Sequence, residues 1–239
     1  MTSEKDVLMS LLKLTHNGEV RKESIASDAK VPAAVTLSAL ENLSQENLFR
    51  EQEGLINVTP SQRVAIAIRA IQVGADFERV CRSLSWSEFE SISAEAFVAN
   101  DYRVARNFRF RHASRRWEID ILGFKKPFIL CIDCKHWKRW GRSAIMKSVT
   151  SQVERTEALA DAPHTYLQKA EIKEWETAIL VPTVLSLMTG PDKFYNQVPI
   201  VPIFQLRDFI NELPSEIHLL KSFRRKILKL NGFLTENNQ

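Results

Sequence analysis

The sequence predicts an α/β fold in which a mixed β-sheet is flanked by helices and is preceded by a small helical module. From about residue 85 onward, apolar segments of strand length alternate with segments of helical periodicity, a pattern typical of a sheet covered on both faces. Before that point, three helical patterns are followed by two short strands. The 239 residues, 44% hydrophobic and 26% charged, have the composition of an ordinary globular protein.

The first sixty residues predict three helices and a hairpin. Apolar spacing from Val7 to Leu14 indicates a first helix that ends at Asn17-Gly18. A second helix is expected over residues 22–29, and a third begins near Pro32. The two strands that follow turn at Glu53-Gly54. This order resembles the winged helix-turn-helix family, and we assign residues 1–62 to such a module.

The role of this module stays open between DNA contact and dimerisation or other protein contact. A DNA-reading helix presents Arg, Lys, Asn or Gln to the groove. The third helix has no Lys or Arg and carries Glu41 and Glu46. Because one fold serves many functions, the resemblance by itself does not decide between the two roles.

Two capping boxes divide the rest of the chain. The first, from Thr59 to Gln62, starts a helix that we expect to continue toward Arg82 as a connector over residues 63–84. The second, from Ser85 to Glu88, starts the next helix, and we place the domain boundary just before it. The second domain then covers residues 85–239.

The elements predicted for this second domain alternate in the way a mixed sheet requires. They are a helix over 86–99, strands over 102–110, 116–124 and 128–135, a helix over about 143–160, strands over 176–183 and 199–204, a helix over 205–213, and a basic stretch from about Lys221 to Lys229.

Positive charge is concentrated in one segment, although the net charge is only +4. So uneven a distribution suggests a polyanionic partner such as nucleic acid. Each acid in the segment weakens phosphate binding, so its presence is explained if it holds a metal. Between Tyr102 and Thr150 the acids are Glu118, Asp120 and Asp133, against the bases Arg103, Arg106, Arg109, Arg111, Arg115, Arg116, Lys125, Lys126, Lys135, Lys138, Arg139, Arg142 and Lys147.

Several other classes of protein are disfavoured. The three cysteines do not suggest a disulfide framework, and Cys131 and Cys134 lie in a strand whose alternation points their thiols to opposite faces. We therefore expect neither a zinc nor a redox site there. His112 and His136 lack the acid and nucleophile of a hydrolase triad.

No sequence feature points to a membrane or to export. No apolar run approaches the ~20 residues that cross a bilayer. The N-terminus lacks the basic start and apolar stretch of a signal peptide. We expect a cytoplasmic protein with no membrane partner.

Two neighbouring strands carry charged residues where apolar ones are expected. In the segment FILCIDCK, Asp133 and Lys135 interrupt the apolar run two positions apart. Their side chains therefore point to the same face of the strand, about 7 Å apart. Burying such charges is costly unless they pair or bind an ion. Asp120 interrupts the preceding strand, and a turn at Lys125-Lys126-Pro127 makes the two strands antiparallel neighbours. The twelve residues between the aspartates let both carboxylates meet at one end, an arrangement that suits Mg²⁺.

Asp120 followed by Asp133-Cys134-Lys135 resembles the signature of the PD-(D/E)xK nucleases. The resemblance implies a restriction-endonuclease-like fold, with Mg²⁺ held by both aspartates and the backbone carbonyl of Cys134. Mn²⁺ would substitute for Mg²⁺, and Lys135 would position or deprotonate the attacking water. Ile119 stands in place of the proline of the nominal motif.

Residues 86–205 resemble the Mrr-like and archaeal Holliday-junction-resolvase-like branch of these enzymes. The resemblance implies that Glu90 reaches the metal water, with Glu95 as the less favoured alternative because it lies roughly 140° further round the helix. It places Gln152 near the lysine, and Arg155, one turn on, is positioned to meet a phosphate. Asn100-Asp101 stands where these proteins often have a glycine.

Basic residues around the motif are the candidate contacts to nucleic acid. Arg111, Arg115 and Arg116 lie at the predicted hairpin tip and are expected to contact the DNA backbone. In HWKRWGR we expect phosphate contacts from Lys138, Arg139 and Arg142. Of Trp137 and Trp140, we expect one to pack the strand end against the next helix.

The leading hypothesis is a Mg²⁺-dependent endonuclease that cuts DNA without a small-molecule cofactor. By resemblance to enzymes that cut two strands, a homodimer is expected. Two alternatives stay open: a structure-selective repair nuclease or Holliday junction resolvase, and a DNA-binding regulator that keeps the fold without activity. The last would leave a cluster of charges without use, which is a burden on stability.

Overall fold

A computed structural model describes residues 2–135, 137, 141–168, 172, 175–187 and 189–227. The helices are α1 Thr2–Leu14, α2 Lys22–Ala29, α3 Ala33–Gln45, α4 Pro60–Gln72, α5 Phe77–Arg82, α6 Trp86–Val98, α7 Arg142–Asp161, α8 His164–Gln168 and α9 Leu206–Glu216. The strands are β1 Val20–Arg21, β2 Arg50–Gln52, β3 Leu55–Asn57, β4 Arg103–His112, β5 Arg115–Lys125, β6 Phe128–Lys135, β7 Thr177–Ser186, β8 Phe194–Tyr195, β9 Val198–Pro202 and β10 Phe223–Lys226.

The main sheet is mixed and has the order β4-β5-β6-β7-β9-β8, with β10 beside β7. β6 and β9 are parallel to β7, whereas the pairs β4–β5, β5–β6, β8–β9 and β7–β10 are antiparallel. One face packs on α6 through Phe89 and Phe97, and the other packs on α7 through Ala158 and Leu159. The predicted mixed sheet flanked by helices is confirmed.

β6 is the central strand, between antiparallel β5 and parallel β7. Residues 128–134 are all buried, as a strand covered on both faces requires. Its bounds match those predicted, because the apolar run is continuous until the charged residues interrupt it.

The front of the chain contains the predicted three helices and hairpin. A third strand, β1, was not predicted because two residues show no periodicity; it pairs with β3 to give the sheet order β1-β3-β2. The third helix, α3, exposes Val35 and Leu37, and it offers no cation. The assignment of residues 1–62 to the winged-helix class stays a prediction.

The prediction of one connector helix running toward Arg82 is wrong. α4 ends at Gln72, and the chain turns at Gly74, whose φ of 88° suits glycine. Asp76 then caps α5 by accepting a hydrogen bond from the N–H of Arg79. Apolar residues of α1, α4 and α6 nevertheless belong to one continuous core that extends to the main sheet.

The basic stretch near the C-terminus contains a strand that was not predicted. β10 pairs with the first residues of β7, on the side where β9 pairs with the last ones. Arg225 donates hydrogen bonds to the carbonyls of Leu159 and Ala160, at the end of α7. One of these basic side chains therefore provides hydrogen-bond donors for carbonyl groups at the end of α7. Over the described ranges, no helix is long and apolar enough to cross a membrane.

Candidate active site

The strand register brings Asp120 and Asp133 to the same end of the β5–β6 hairpin. Ile121 pairs with Ile132, and the two aspartates are the next residues outward on their strands. The N–H of Cys134 donates to Oδ2 of Asp120 over 2.8 Å. The carboxylate of Asp120 is therefore fixed against the strand that carries Asp133 and Lys135.

Asp133 is the most deeply buried acid of this group, with 2% of its side chain exposed. Its Oδ1 accepts hydrogen bonds from Nζ of Lys135, at 3.0 Å, and from Nη1 of Arg155, at 2.7 Å. Its Oδ2 lies 2.9 Å from Nζ of Lys135 but accepts no hydrogen bond from the described residues. A buried carboxylate is costly unless cations pair with it, and a divalent ion at Oδ2 would share that oxygen with the Lys135 ammonium.

Both neighbouring acids have raised pKa values. Burial is the main cause for Asp120, followed by the carboxylate of Asp133, and the Cys134 N–H opposes them. Burial also raises the pKa of Glu90, with the charge of Asp120 next. Such shifts mark carboxylates crowded together in a poorly solvated place, where a divalent cation would favour their charged forms.

Glu90 rather than Glu95 lies with this group. Glu90 is half-buried on α6 and interacts electrostatically with Asp120 and Lys135. Glu95 is exposed and lines a different hollow, together with Arg106 and residues of α4. The geometry favours the preferred candidate, as the helical offset between the two glutamates requires.

The two thiols of the CxxC point to opposite faces of the sheet, as predicted. Cys131 belongs to the core under α7, and Cys134 belongs to the core under α6. Burial raises the pKa of Cys134 well above its usual range. Within the part of the chain that the structure describes, no three His, Cys, Asp or Glu side chains are grouped to hold a metal. An ion here would rest on the two aspartates, with backbone oxygen and water.

Gln152 is fully buried and is engaged at both ends of its amide. Its Nε2 donates to the carbonyl of Cys131 over 2.7 Å, and its Oε1 accepts from Nη1 of Arg155 at 3.4 Å. The side chain therefore holds α7 to β6 and orients Arg155. The guanidinium of Arg155 pairs with Asp133 in this structure, and its contact with a phosphate stays a prediction.

The candidate nucleic-acid contacts near the site are partly exposed in the structure and partly outside the residues that it describes. Arg111, Arg115 and Arg116 are exposed where the β4–β5 hairpin turns, and Arg142 is exposed in the first turn of α7. Trp137 is partly buried against a small apolar cluster, as expected for one tryptophan of its segment. Lys138, Arg139, His136 and Trp140 lie outside the described residues.

Trp86 is a neighbour of this site that the sequence did not predict. Its ring centroid lies 5.9 Å from Nζ of Lys135, and 54% of the residue is exposed. The only sequence signal was the capping box, which places Trp86 at the first helical position of α6. Its proximity to a residue on β6 depends on how the helix packs on the sheet.

Residues 85–188 match the family model of the Nuclease-related domain (NERD). The match covers somewhat less than half of the chain, and it includes every candidate catalytic residue named above, so this part of the chain is similar to a nuclease-related domain. An uncharacterized protein of Archaeoglobus fulgidus is 24% identical over 132 residues, which are 54% of this chain and 92% of the relative. The crystal structure of protein VC1899 from Vibrio cholerae aligns with a TM-score of 0.39 and 10% identity, over 91% of this chain. The chain spans 52%, about half, of that structure's length.

Proposed function

We propose that this protein is a Mg²⁺-dependent endonuclease that hydrolyses phosphodiester bonds of DNA. The observation that carries the proposal is the juxtaposition of Asp133, whose side chain is only 2% exposed, with Asp120 on the adjacent strand, a concentration of negative charge beside Lys135 and Arg155. The nuclease-related domain that contains both aspartates supports the same class of reaction.

The donor set fits Mg²⁺ or Mn²⁺. The carboxylates of Asp120 and Asp133 and the carbonyl of Cys134 would hold the ion, and Glu90 would reach one of its waters. Hard oxygen donors with room for water are what these ions select. A bound ion would stabilise charge on the phosphate and lower the pKa of the attacking water.

Two cations of the chain complete the chemistry. Nζ of Lys135, held 3.0 Å from Asp133, would orient the attacking water and receive or return its proton. The guanidinium of Arg155, already at Asp133, would turn to the phosphate once that carboxylate holds an ion. In-line attack would leave a 5′-phosphate on the product.

The end of the β4–β5 hairpin supports DNA as the substrate. The pairing of β6 with β5 runs as far as Ile121–Ile132, whereas the pairing of β4 with β5 continues to His112–Arg115. We call residues 108–119, which lie beyond the last paired residues of β5 and β6, the β-arm. In it Arg111 lies directly opposite Arg116. Like charges in that position destabilise a hairpin, and phosphates would relieve the repulsion.

Finer features of the proposal come from the resemblance to Mrr-like restriction enzymes. They are a homodimer that cuts both strands, a cytoplasmic location, and a front module that sets target choice or dimerises the enzyme. The exposed Val35 and Leu37 on α3, together with its lack of cations, favour protein contact for that module.

The test is cleavage of supercoiled plasmid with Mg²⁺ or Mn²⁺, by the wild type and by Asp133→Asn. We expect nicked or linear product from the wild type, and none from the variant or in EDTA. Asp192→Asn, which neutralises an exposed loop carboxylate, is the matched control and should cut normally. Intact plasmid and intact four-way junctions after incubation with the wild type, with DNA binding unchanged by EDTA, would indicate a regulator instead.

A further inference from the structure

Trp86 is an exposed aromatic residue at the mouth of the candidate active site. It is 54% exposed, and its ring centroid lies 5.9 Å from Nζ of Lys135. Tryptophan is highly buried on average and is enriched at interfaces, so an exposed tryptophan beside a charged site is a candidate contact for a ligand. An ammonium group and a tryptophan ring this close offer one cation for a phosphate and one flat surface for a base.

The backbone that carries Trp86 is held firmly. Ser85 and Glu88 cap the helix reciprocally, with the Ser85 N–H donating to Oε2 of Glu88 over 2.7 Å. Oε1 of Glu88 accepts from Nε of the buried Arg63 over 2.7 Å, and Nη1 of Arg63 donates to the carbonyl of Leu12. A ring on so fixed a backbone loses little conformational freedom when a ligand stacks on it.

A purely structural role does not account for this tryptophan. Its exposure shows that it is not a core residue. Its cation–π contact with Lys135 is at the ~6 Å limit of such interactions, so it contributes little. Much of the ring is therefore available to a planar group that arrives with a phosphate at the site.

We infer that Trp86 stacks on the base of the nucleotide next to the scissile phosphate, and that this nucleotide is unpaired in the preferred substrate. The inference rests on the proposed function and narrows its substrate class to DNA with a single-stranded segment at the cut. Bases in an intact duplex already stack on their neighbours, so only an unpaired base reaches the ring without prior opening of the helix. Base–aromatic stacking is tolerant of sequence, so the preference is for structure rather than for a particular base.

The test is the affinity for a fluorescent single-stranded oligonucleotide and for the same sequence as a duplex, with Ca²⁺ in place of Mg²⁺ so that nothing is cut. We expect Trp86→Ala to weaken single-strand binding about tenfold or more, and Trp86→Phe to keep most of it, because stacking needs a ring. Duplex binding should be unchanged in both variants. Val98→Ala, which trims the 53% exposed last residue of the same helix, is the matched control and should bind both ligands normally.

Equal losses on both ligands, or no loss on either, would overturn the inference. Melting temperatures of the variants guard against a loss that merely reflects unfolding. The outcome is separable from that of the proposed function. If the wild type cuts no DNA but Trp86→Ala binds single-stranded DNA more weakly than the wild type, the stacking role is supported and the nuclease activity is not. If Trp86→Ala cleaves single-stranded DNA with an unchanged KM, the nuclease activity is supported and the stacking role is refuted.

Discussion

Nη1 of Arg155 lies 2.7 Å from Oδ1 of Asp133, which joins α7 to the central strand at the candidate active site. Lys135 reaches the same carboxylate from its own strand. Two cations therefore balance one buried acid before any ion is bound. A divalent ion at Asp133 would have to share that carboxylate with the guanidinium, so we expect the pair to lower the affinity for such an ion.

Arg155→Gln is expected to tighten Mn²⁺ binding while it slows cleavage. Removing a positive charge near the ion lowers electrostatic repulsion, and a gain of about tenfold corresponds to ~1.4 kcal/mol. Calorimetric titration with Mn²⁺ measures the first effect, and plasmid cleavage measures the second. Lys147→Gln removes the same charge from the exposed surface of α7 and should change neither. Weaker Mn²⁺ binding in Arg155→Gln would mean that the guanidinium positions Asp133 for the ion.

Asp120→Asn is expected to stabilise the metal-free protein at neutral pH by about 1 kcal/mol. Burial and the charge of Asp133 raise the pKa of Asp120 above its ordinary value of 3.8. In the window above 3.8 the folded state holds more protons than the unfolded state, so stability falls as pH rises through the folded pKa. The amide avoids this loss, and its oxygen still accepts the Cys134 N–H.

Thermal unfolding between pH 4 and 8 in EDTA checks this expectation, and the difference in melting temperature between variant and wild type should narrow as the pH falls toward 3.8. Asp192→Asn, at an exposed loop position, should have the same melting temperature as the wild type throughout this pH range. Saturating Mn²⁺ should raise the melting temperature of the wild type and not that of Asp120→Asn, because only a ligand bound to the folded state stabilises it. A variant less stable than the wild type in EDTA would contradict the argument.

Arg63→Met is expected to destabilise the fold strongly. Arg63 and Glu88 are each 5% exposed, and the guanidinium also donates to Leu12, Thr15 and Ser83. Breaking such a pair leaves the Glu88 carboxylate buried without a charged partner, at a cost of about 3–5 kcal/mol. Arg69→Met breaks the partly exposed pair of the same helix with Glu4, and should cost under about 1 kcal/mol. Urea unfolding measures both, and similar midpoints would refute the distinction.

The three cysteines are expected to be inert in the folded protein. Burial raises the pKa of Cys81 and of Cys131 to about 12, and it raises the pKa of Cys134 well above its usual range. At pH 8 none carries appreciable thiolate, which is the reactive form. A colorimetric thiol reagent should find no reactive group in native protein and three in urea. Rapid native labelling, or stoichiometric zinc uptake, would restore a chemical role for the CxxC.

Replacing both Arg111 and Arg116 by Gln is expected to weaken duplex DNA binding and lower its salt dependence. Each lost phosphate contact reduces the slope of log K against log salt by about 0.9. Arg109→Gln is the matched control on the same β-arm, because Arg109 is already paired with Glu118 at 2.9 Å. A slope unchanged in the double variant would remove the β-arm from the DNA interface.

Local pattern was sufficient to predict the part of the site that lies on one hairpin. Asp133 and Lys135 share a face because strand residues alternate, and Asp120 joins them because a short turn makes its strand the antiparallel neighbour. The bounds of β6 and the opposite orientations of Cys131 and Cys134 follow from the same periodicity. The break between α4 and α5 also has a local signal, in Gly74 and Asp76. It was not predicted because the apolar spacing continues through these residues.

Only the tertiary structure decided which side chains meet across elements. Arg155 pairs with Asp133, and Gln152 donates a hydrogen bond to a backbone carbonyl of β6. Trp86 comes to lie beside Lys135, and β10 adds to the edge of β7. Each of these contacts joins residues more than twenty positions apart in the chain, and each depends on the angle and depth at which one element packs on the sheet. Periodicity shows which face of a helix or strand is buried, but it does not show where that face lies against the neighbouring element.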